Sequence, residues 1–197
     1  MISAIVLSAG SSHRMGTPKG LLNIGKKTFL QHIVETLHSA RILDVAIVLG
    51  AEAEQIKKTL TWFDGKVVIN ENWQKGQLSS IISGLNAVES KDVHGAMICP
   101  VDHPAISQSL LVDLLQAFWK SKKSIVIPIY HGRRGHPVIF ENTLFDELRN
   151  APLDVGARAV VHDHPNDIFE MATDEGGVVL DIDTPSDYET KIAAVGG

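Results

Sequence analysis

The sequence holds a single cysteine, Cys99, in 197 residues. No intramolecular disulfide can form and no cysteine-based zinc site can be built, which suits a reducing compartment, with the cytoplasm as the default expectation. Long apolar runs are missing too: Ile2 to Leu7, Val45 to Leu49 and Ile125 to Ile129 fall far below the roughly 20 residues of a membrane helix. The first residues carry no basic segment of the signal-peptide kind and reach Gly10 within a strand-like stretch, so no membrane partner is expected. Positive charge is in deficit, 18 Lys+Arg against 23 Asp+Glu for a net charge of −5. That removes the global basic attraction of a non-specific nucleic-acid binder, while leaving room for a local anion pocket. Internal repeats, low-complexity tracts and linker-like composition shifts are absent, so one domain over 1–197 is expected.

What is present is 44% hydrophobic residues, enough for a substantial core. Ile2 to Leu7 is β-rich and nearly continuously apolar, as in a strand buried on both faces of a parallel sheet. Phe29, Leu30, Ile33, Val34 and Leu37 recur at helical spacing before a second buried strand, Val45 to Leu49. The alternation continues with a helix near 52–60, a strand at 66–69, a helix near 79–88 and a strand at 96–99. Ser107 or Ser109 can cap a further helix through Leu110, Leu114 and Phe118, followed by a strand at 125–127. The segment His131-Gly132-Arg133-Arg134-Gly135-His136-Pro137 then interrupts two β-prone pieces as a hairpin or long turn, so a mixed sheet is expected. A last helix begins at Thr184-Pro185-Ser186-Asp187, with Thr184 as cap and Pro185 in the first turn. Repeated alternation predicts an α/β fold, a mainly parallel sheet covered by helices.

The strongest local signal is the loop Ser8 to Lys19, directly after the first strand, at the sheet edge where ligands bind in such folds. Small residues let backbone N–H groups approach phosphate oxygens, and Arg14 and Lys19 add a fork-shaped and a point-like positive charge. The pattern is neither GxxxxGK[ST] nor GxGxxG, since five residues separate Gly10 from Gly16 and Lys19 lies three beyond. A solvated glycine-rich turn with two surface cations fits the same residues.

Here the sequence resembles the MobA-like nucleotidyltransferases, especially their molybdenum cofactor cytidylyltransferase branch, whose signature resembles LAAGxSxRMGxxK followed by leucines; this chain reads LSAGSSHRMGTPKGLL. The resemblance continues through Asn70 to Gly76, Ser79-Ser80, Pro100-Val101-Asp102-His103-Pro104, Arg134 to Phe140, Gly156-Ala157-Arg158 and Asp181 to Pro185. Ser8 replaces a commoner alanine, Gly20 interrupts the apolar stretch after the lysine, and Gln77-Leu78 replaces a small-residue region. The resemblance implies a Rossmann-related, GT-A-like fold and Mg²⁺-dependent transfer of a nucleoside monophosphate, with CTP favoured and GTP possible. The acceptor is the phosphate of molybdopterin or its metal-loaded form, a molybdenum hydroxylase is the downstream partner, and pyrophosphate is released.

On that resemblance the nucleotide falls to Leu7, Ser8, Ala9, Gly10, Ser11, Ser12, Arg14 and Lys19, with Gly76 and Ser80, and the catalytic set is Arg14, Lys19 and Asp102. Asp102 is implied as a Mg²⁺ ligand; Asp183, at the end of a distant strand, is its preferred partner and Asp181 a weaker one. By residue type alone Asp102 is equally a turn residue and Asp183 part of a helix start. Arg134, Gly135, His136 and Arg158 offer an acceptor-phosphate or pterin pocket opposite the nucleotide, because two guanidiniums give bidentate anion recognition and Gly135 allows close backbone approach. Arg133 and Arg134 equally suit a solvated hairpin tip. His162-Asp163-His164 is expected as a solvated turn and not a zinc site, Trp73 as a pocket wall or a core anchor, and Cys99 as a buried small hydrophobe. A sugar-1-phosphate nucleotidyltransferase and a non-catalytic nucleotide-sensing or cofactor-delivery protein are the alternatives.

Overall fold

The computed structural model describes residues 1–192, so the expected 1–197 span ends in residues 193–197, which lie outside the described residues. Strand β1 (Ile2–Ser8) is buried along its whole length, as its unbroken apolar character requires. Its side chains alternate between two cores: Ala4 and Val6 face one, Ile5 and Leu7 the other. Beyond the loop, a short hairpin of β2 (Asn23–Ile24) and β3 (Lys27–Thr28) leads into α1 (Phe29–Ser39), capped by Thr28 Oγ1, which accepts from Gln31 N at 3.2 Å.

The alternation then runs β4 (Val45–Leu49), α2 (Ala53–Lys57), β5 (Lys66–Ile69), α3 (Gln77–Val88), β6 (Gly95–Pro100) and α4 (Gln108–Ser121). The helix expected over 52–60 is shorter than its apolar pattern: it stops at Lys57, and the Thr59 hydroxyl donates to the Ile56 carbonyl at 2.7 Å as the chain turns. Ser107, not Ser109, caps α4, its hydroxyl accepting from Leu110 N at 3.0 Å.

The expected interruption is β7 (Ile125–Tyr130), β8 (Arg133–Arg134) and β9 (Val138–Glu141), with β9 inserted antiparallel between β6 and β7. Three elements follow that the sequence pattern leaves unread: α5 (Phe145–Asn150), α6 (Arg158–Asp163) and the edge strand β10 (Ile168–Ala172). His162 and Asp163 are therefore the exposed end of a helix, not a turn, and His164 just beyond lies 2.6 Å from Glu147 Oε2. The expected last helix opens as α7 (Pro185–Asp187), which continues into a π-helical segment at Tyr188–Ile192, on a capping box in which Thr184 and Asp187 each satisfy the other's backbone N–H.

The main sheet has the order β10-β7-β9-β6-β1-β4-β5, with β8 paired to β7. The β1, β4, β5 and β6 pairings and the β7–β10 pairing are parallel, and only those of β8 and β9 are antiparallel. This is the mostly parallel α/β sheet that the alternation predicts, mixed as the 131–137 interruption predicts, and consistent with the Rossmann-related fold that the resemblance implies. Helices α1 and α4 pack on one face and α3 and α5 on the other. No helix among the described residues is long and apolar enough to cross a membrane. The parallel strands end together, so the loops after Ser8, Leu49, Pro100 and Tyr130 meet at one edge.

Candidate active site

At that edge the loop after β1 folds around Ser12. Met15 N and Gly16 N donate to the Ser12 carbonyl at 2.9 and 3.0 Å, and the Ser12 hydroxyl accepts from Lys19 N at 3.0 Å. Ser12 N in turn donates to Glu52 Oε1 at 3.2 Å, so a carboxylate from the β4 edge already meets one of the loop's amides. Ser8, Gly10, Ser11, Ser12, Lys19 and Glu52 line a small cavity of about 40 Å³. Leu7 and Ala9 are buried, and their carbonyls anchor the neighbouring loops by accepting from Val101 N at 3.0 Å and Ala51 N at 3.1 Å.

Charge converges beside this loop. Lys19 Nζ lies 2.5 Å from Asp183 Oδ1 and 3.5 Å from Asp102 Oδ2, and Arg14 Nη2 lies 3.0 Å from Asp183 Oδ2. The Lys19 side chain is 16% exposed, the two carboxylates about a third. The hydrogen bond from Lys19, aided by the Arg14 charge, holds the Asp183 carboxyl below its usual range. Asp183 is not at a strand end, as its alternating surroundings suggest: residues 180–183 belong to no strand. It arrives through Ile182 N, which donates to the Asp102 carbonyl at 2.8 Å, and through the α7 capping box, where Asp187 Oδ2 accepts from Asp183 N at 3.2 Å. Asp181 pairs instead with Lys191, at 3.7 Å. Among the described residues no group of three or more His, Cys, Asp or Glu side chains is poised to hold a metal ion.

A second, larger cavity of about 690 Å³ is lined by His136, whose ring contacts that of His103, the residue after Asp102. Its lining includes the apolar Leu78, Ile81, Ile98, Val138 and Phe140, while Gln77, Arg134, His136, Asp154, Arg158 and His162 contribute its polar groups. The structure thus brings Arg134, Gly135, His136 and Arg158 into one wall, together with Gly76. Gly76 has φ +96°, which favours glycine, and it starts α3 without a side-chain cap. Gly135 is required by close packing: a Cβ there would lie 2.3 Å from the Val178 carbonyl oxygen. Arg134 is exposed and paired with Glu170 at 2.7 Å. Burial, then the neighbouring His103 and Arg158, pushes His136 down to about 4.

Ser80 does not reach either cavity. It is buried and accepts from Asn70 Nδ2 at 2.9 Å, in a network that also bonds Ser79 and holds the 70–76 turn against α3. Trp73 is half-buried and packs on the α3 side of the sheet, the anchor reading of that residue. Cys99 is fully buried, and burial pushes its thiol up. Two chemistry-bearing residues escape the sequence reading. Glu52 could be found as the acid directly after a buried strand at the ligand edge; His103 is hidden inside the Asp102 turn.

The chain is similar to known proteins over most of its length. The model of the MobA-like NTP transferase domain matches residues 4–168. The nicotine blue oxidoreductase of Paenarthrobacter nicotinovorans is 27% identical over 194 residues, covering 93% of this chain and 92% of that one. The molybdenum cofactor cytidylyltransferase of Escherichia coli (strain K12) is 23% identical over 197 residues, covering 96% and 94%. Among solved structures, Rv0371c from Mycobacterium tuberculosis H37Rv superposes with a TM-score of 0.85 at 28% identity, covering 98% of this chain and 97% of that one. With its phosphate-type loop, carboxylate pair and second cavity on one sheet edge, the chain belongs to the MobA-like NTP transferase family.

Proposed function

We propose that this protein transfers a nucleoside monophosphate, CMP from CTP in the favoured case, to the phosphate of a molybdopterin-type acceptor, releasing pyrophosphate. The observation that carries the reading is the placement of the Arg14–Lys19–Asp102–Asp183 cluster beside a cavity walled by Arg134, His136 and Arg158. Two substrates can meet across Asp102. An oxygen of the acceptor phosphate attacks the α-phosphorus, the bond to the β-phosphate breaks, and pyrophosphate leaves, with no covalent intermediate on the protein.

Arg14 and Lys19 hold the triphosphate and offset charge on the leaving group. Asp102 and Asp183 fit a hard cation, because both carboxylates already reach one positive centre, the Lys19 ammonium. They would hold Mg²⁺ there. When bound, the ion supplies Lewis-acid neutralisation of phosphate charge. The loop folded around Ser12 holds Arg14 and Lys19 toward the phosphates, and Arg158 and Arg134 draw in the acceptor. Preference for CTP rests on the likeness of the motifs to the cytidylyl branch.

The test is pyrophosphate release from CTP, GTP, ATP and UTP, with and without Mg²⁺ and molybdopterin, followed by product mass. Release that needs both Mg²⁺ and acceptor, with a CMP adduct, is expected; nucleotide binding without product overturns transfer in favour of a sensing role. A second reading, oxidoreduction of a substrate held in the larger cavity by a dissociable two-electron donor or acceptor, is favoured by the likeness to the nicotine blue oxidoreductase over 93% of this chain. It predicts a change in the substrate's oxidation state with no pyrophosphate.

A further inference from the structure

Two buried nitrogen atoms have no role in the scheme above. Among the described residues, His103 Nδ1 and His136 Nδ1 are the only buried side-chain nitrogen or oxygen atoms without a hydrogen-bond partner. They belong to two rings in contact, with centroids 4.9 Å apart and planes tilted by 58°. Unpaired buried polar atoms are costly and rare, so their coincidence in one ring pair calls for a partner.

The backbone around them is committed. His103 N donates to the Pro100 carbonyl at 3.1 Å, His136 N to the Val178 carbonyl at 2.8 Å, and Gly135 N to the Pro128 carbonyl at 2.8 Å. The Val178 carbonyl that lies beside the His103 ring is therefore already bound by His136 N. The main chain is pinned, the Val178 carbonyl also faces the His103 ring, and the Nδ1 of each ring is left without a partner. The pair also spans the seam of the site: His136 lines the larger cavity, and His103 follows Asp102, whose carboxylate faces Lys19.

We propose that His103 is a positioning residue for the acceptor, acting through His136. When the acceptor phosphate enters, His103 Nδ1–H donates to His136 Nδ1, which fixes the tautomer that presents His136 Nε2–H to a phosphate oxygen. The two atoms left unpaired thereby satisfy each other. A neutral ring at this point gives direction without neutralising the attacking phosphate, whose charge is met by Arg134 and Arg158 at the rim. This rests on the two-substrate reading and adds to it a residue that touches neither substrate.

The test turns on shape. Asparagine places a hydrogen-bonding group where Nδ1 stands, while phenylalanine keeps the ring and loses the nitrogen. His103→Asn is expected to stay within roughly 3-fold of wild type in acceptor KM, and His103→Phe to raise it roughly 10- to 100-fold, the range of one hydrogen bond to a charged group. In both variants nucleotide binding should be unchanged and kcat at saturating acceptor nearly so. A purely structural role for the ring gives the opposite order, with phenylalanine benign and asparagine damaging, and that order overturns the proposal.

A second readout needs no turnover: long-range proton–nitrogen correlation spectra of the imidazoles during titration with inorganic phosphate. A single Nε2–H tautomer of His136 should appear in wild type and His103→Asn but not in His103→Phe. If phosphate fixes the tautomer while no nucleotidyl product forms, the positioning role stands and the transfer reading falls. If wild type and His103→Phe give the same spectra, the positioning role falls whatever the activity.

Discussion

The two halves of the site are built by opposite means. On the loop side, four charged side chains from three distant segments hold one another by ion pairs: Arg14, Lys19, Asp102 and Asp183. They keep about a third of each carboxylate in contact with solvent. On the cavity side apolar and polar side chains share the lining, burial lowers the proton affinity of the His103 and His136 imidazoles, and position comes from main-chain packing such as Gly135 on Val178. The loop side should therefore lose function without losing stability when a charge is removed. The cavity side couples binding to folding.

The largest effect should come from the charged half. Lys19→Ala and Asp102→Ala are expected to cut turnover roughly 100- to 1,000-fold. Because the pairs are partly exposed, stability should change by no more than about 1 kcal/mol. Steady-state kinetics beside denaturant melts of each variant check both; an unfolded variant would erase the contrast between the halves.

Acid separates the halves by pH window. His136 is protonated near pH 6.5 when unfolded but only near 4 when folded, so the unfolded chain binds more protons between those values. Its contribution is full above pH 6.5 and declines towards pH 4, by about 3 kcal/mol. The contribution of Asp183, whose carboxyl is held low by Lys19, is present above about pH 3.8 and is lost only as pH falls further. Melts of wild type and His136→Phe from pH 7 to 4 should show the slope in the first and a flatter line in the second.

A methyl group at the tightest contact sharpens the same comparison. Gly135→Ala places Cβ 2.3 Å from the Val178 carbonyl oxygen and should cost about 1–3 kcal/mol. Acceptor affinity should fall with it while nucleotide affinity holds, as calorimetry with each ligand would report. The smallest effect is expected at the rim: Arg134→Ala breaks an exposed pair with Glu170 and should change stability by less than about 1 kcal/mol, leaving its mark on acceptor KM alone.

The same division governs what could be read from the sequence. The buried parallel strands were legible because continuous apolar runs such as Val45–Leu49 have no other placement, and the capping box at Thr184 is a local pattern. Elements α5, α6 and β10 escaped because they are short and partly exposed, and take their form from neighbours far along the chain. At the site, residue type alone pointed to Arg14 and Lys19. Asp183 was chosen for its chemistry but set on a strand, because its actual support, the bond from Ile182 N to the Asp102 carbonyl, joins residues 80 positions apart and leaves no local periodicity. Ser80 was read as a ligand contact but is bound to Asn70, a partner that spacing cannot reveal. Glu52 and the His103–His136 contact likewise exist only once the sheet edge has formed.

The most direct test of two half-sites serving one reaction is to follow the α-phosphate. The protein is incubated with α-³²P-labelled CTP, Mg²⁺ and molybdopterin, beside parallel reactions with labelled GTP, and the acceptor is recovered. Label transferred to the acceptor, lost in Lys19→Ala and restored by high acceptor concentration in Arg134→Ala, is the expected result. Label that never leaves the nucleotide, with either base, while a folded protein binds both substrates, would contradict the transfer reading.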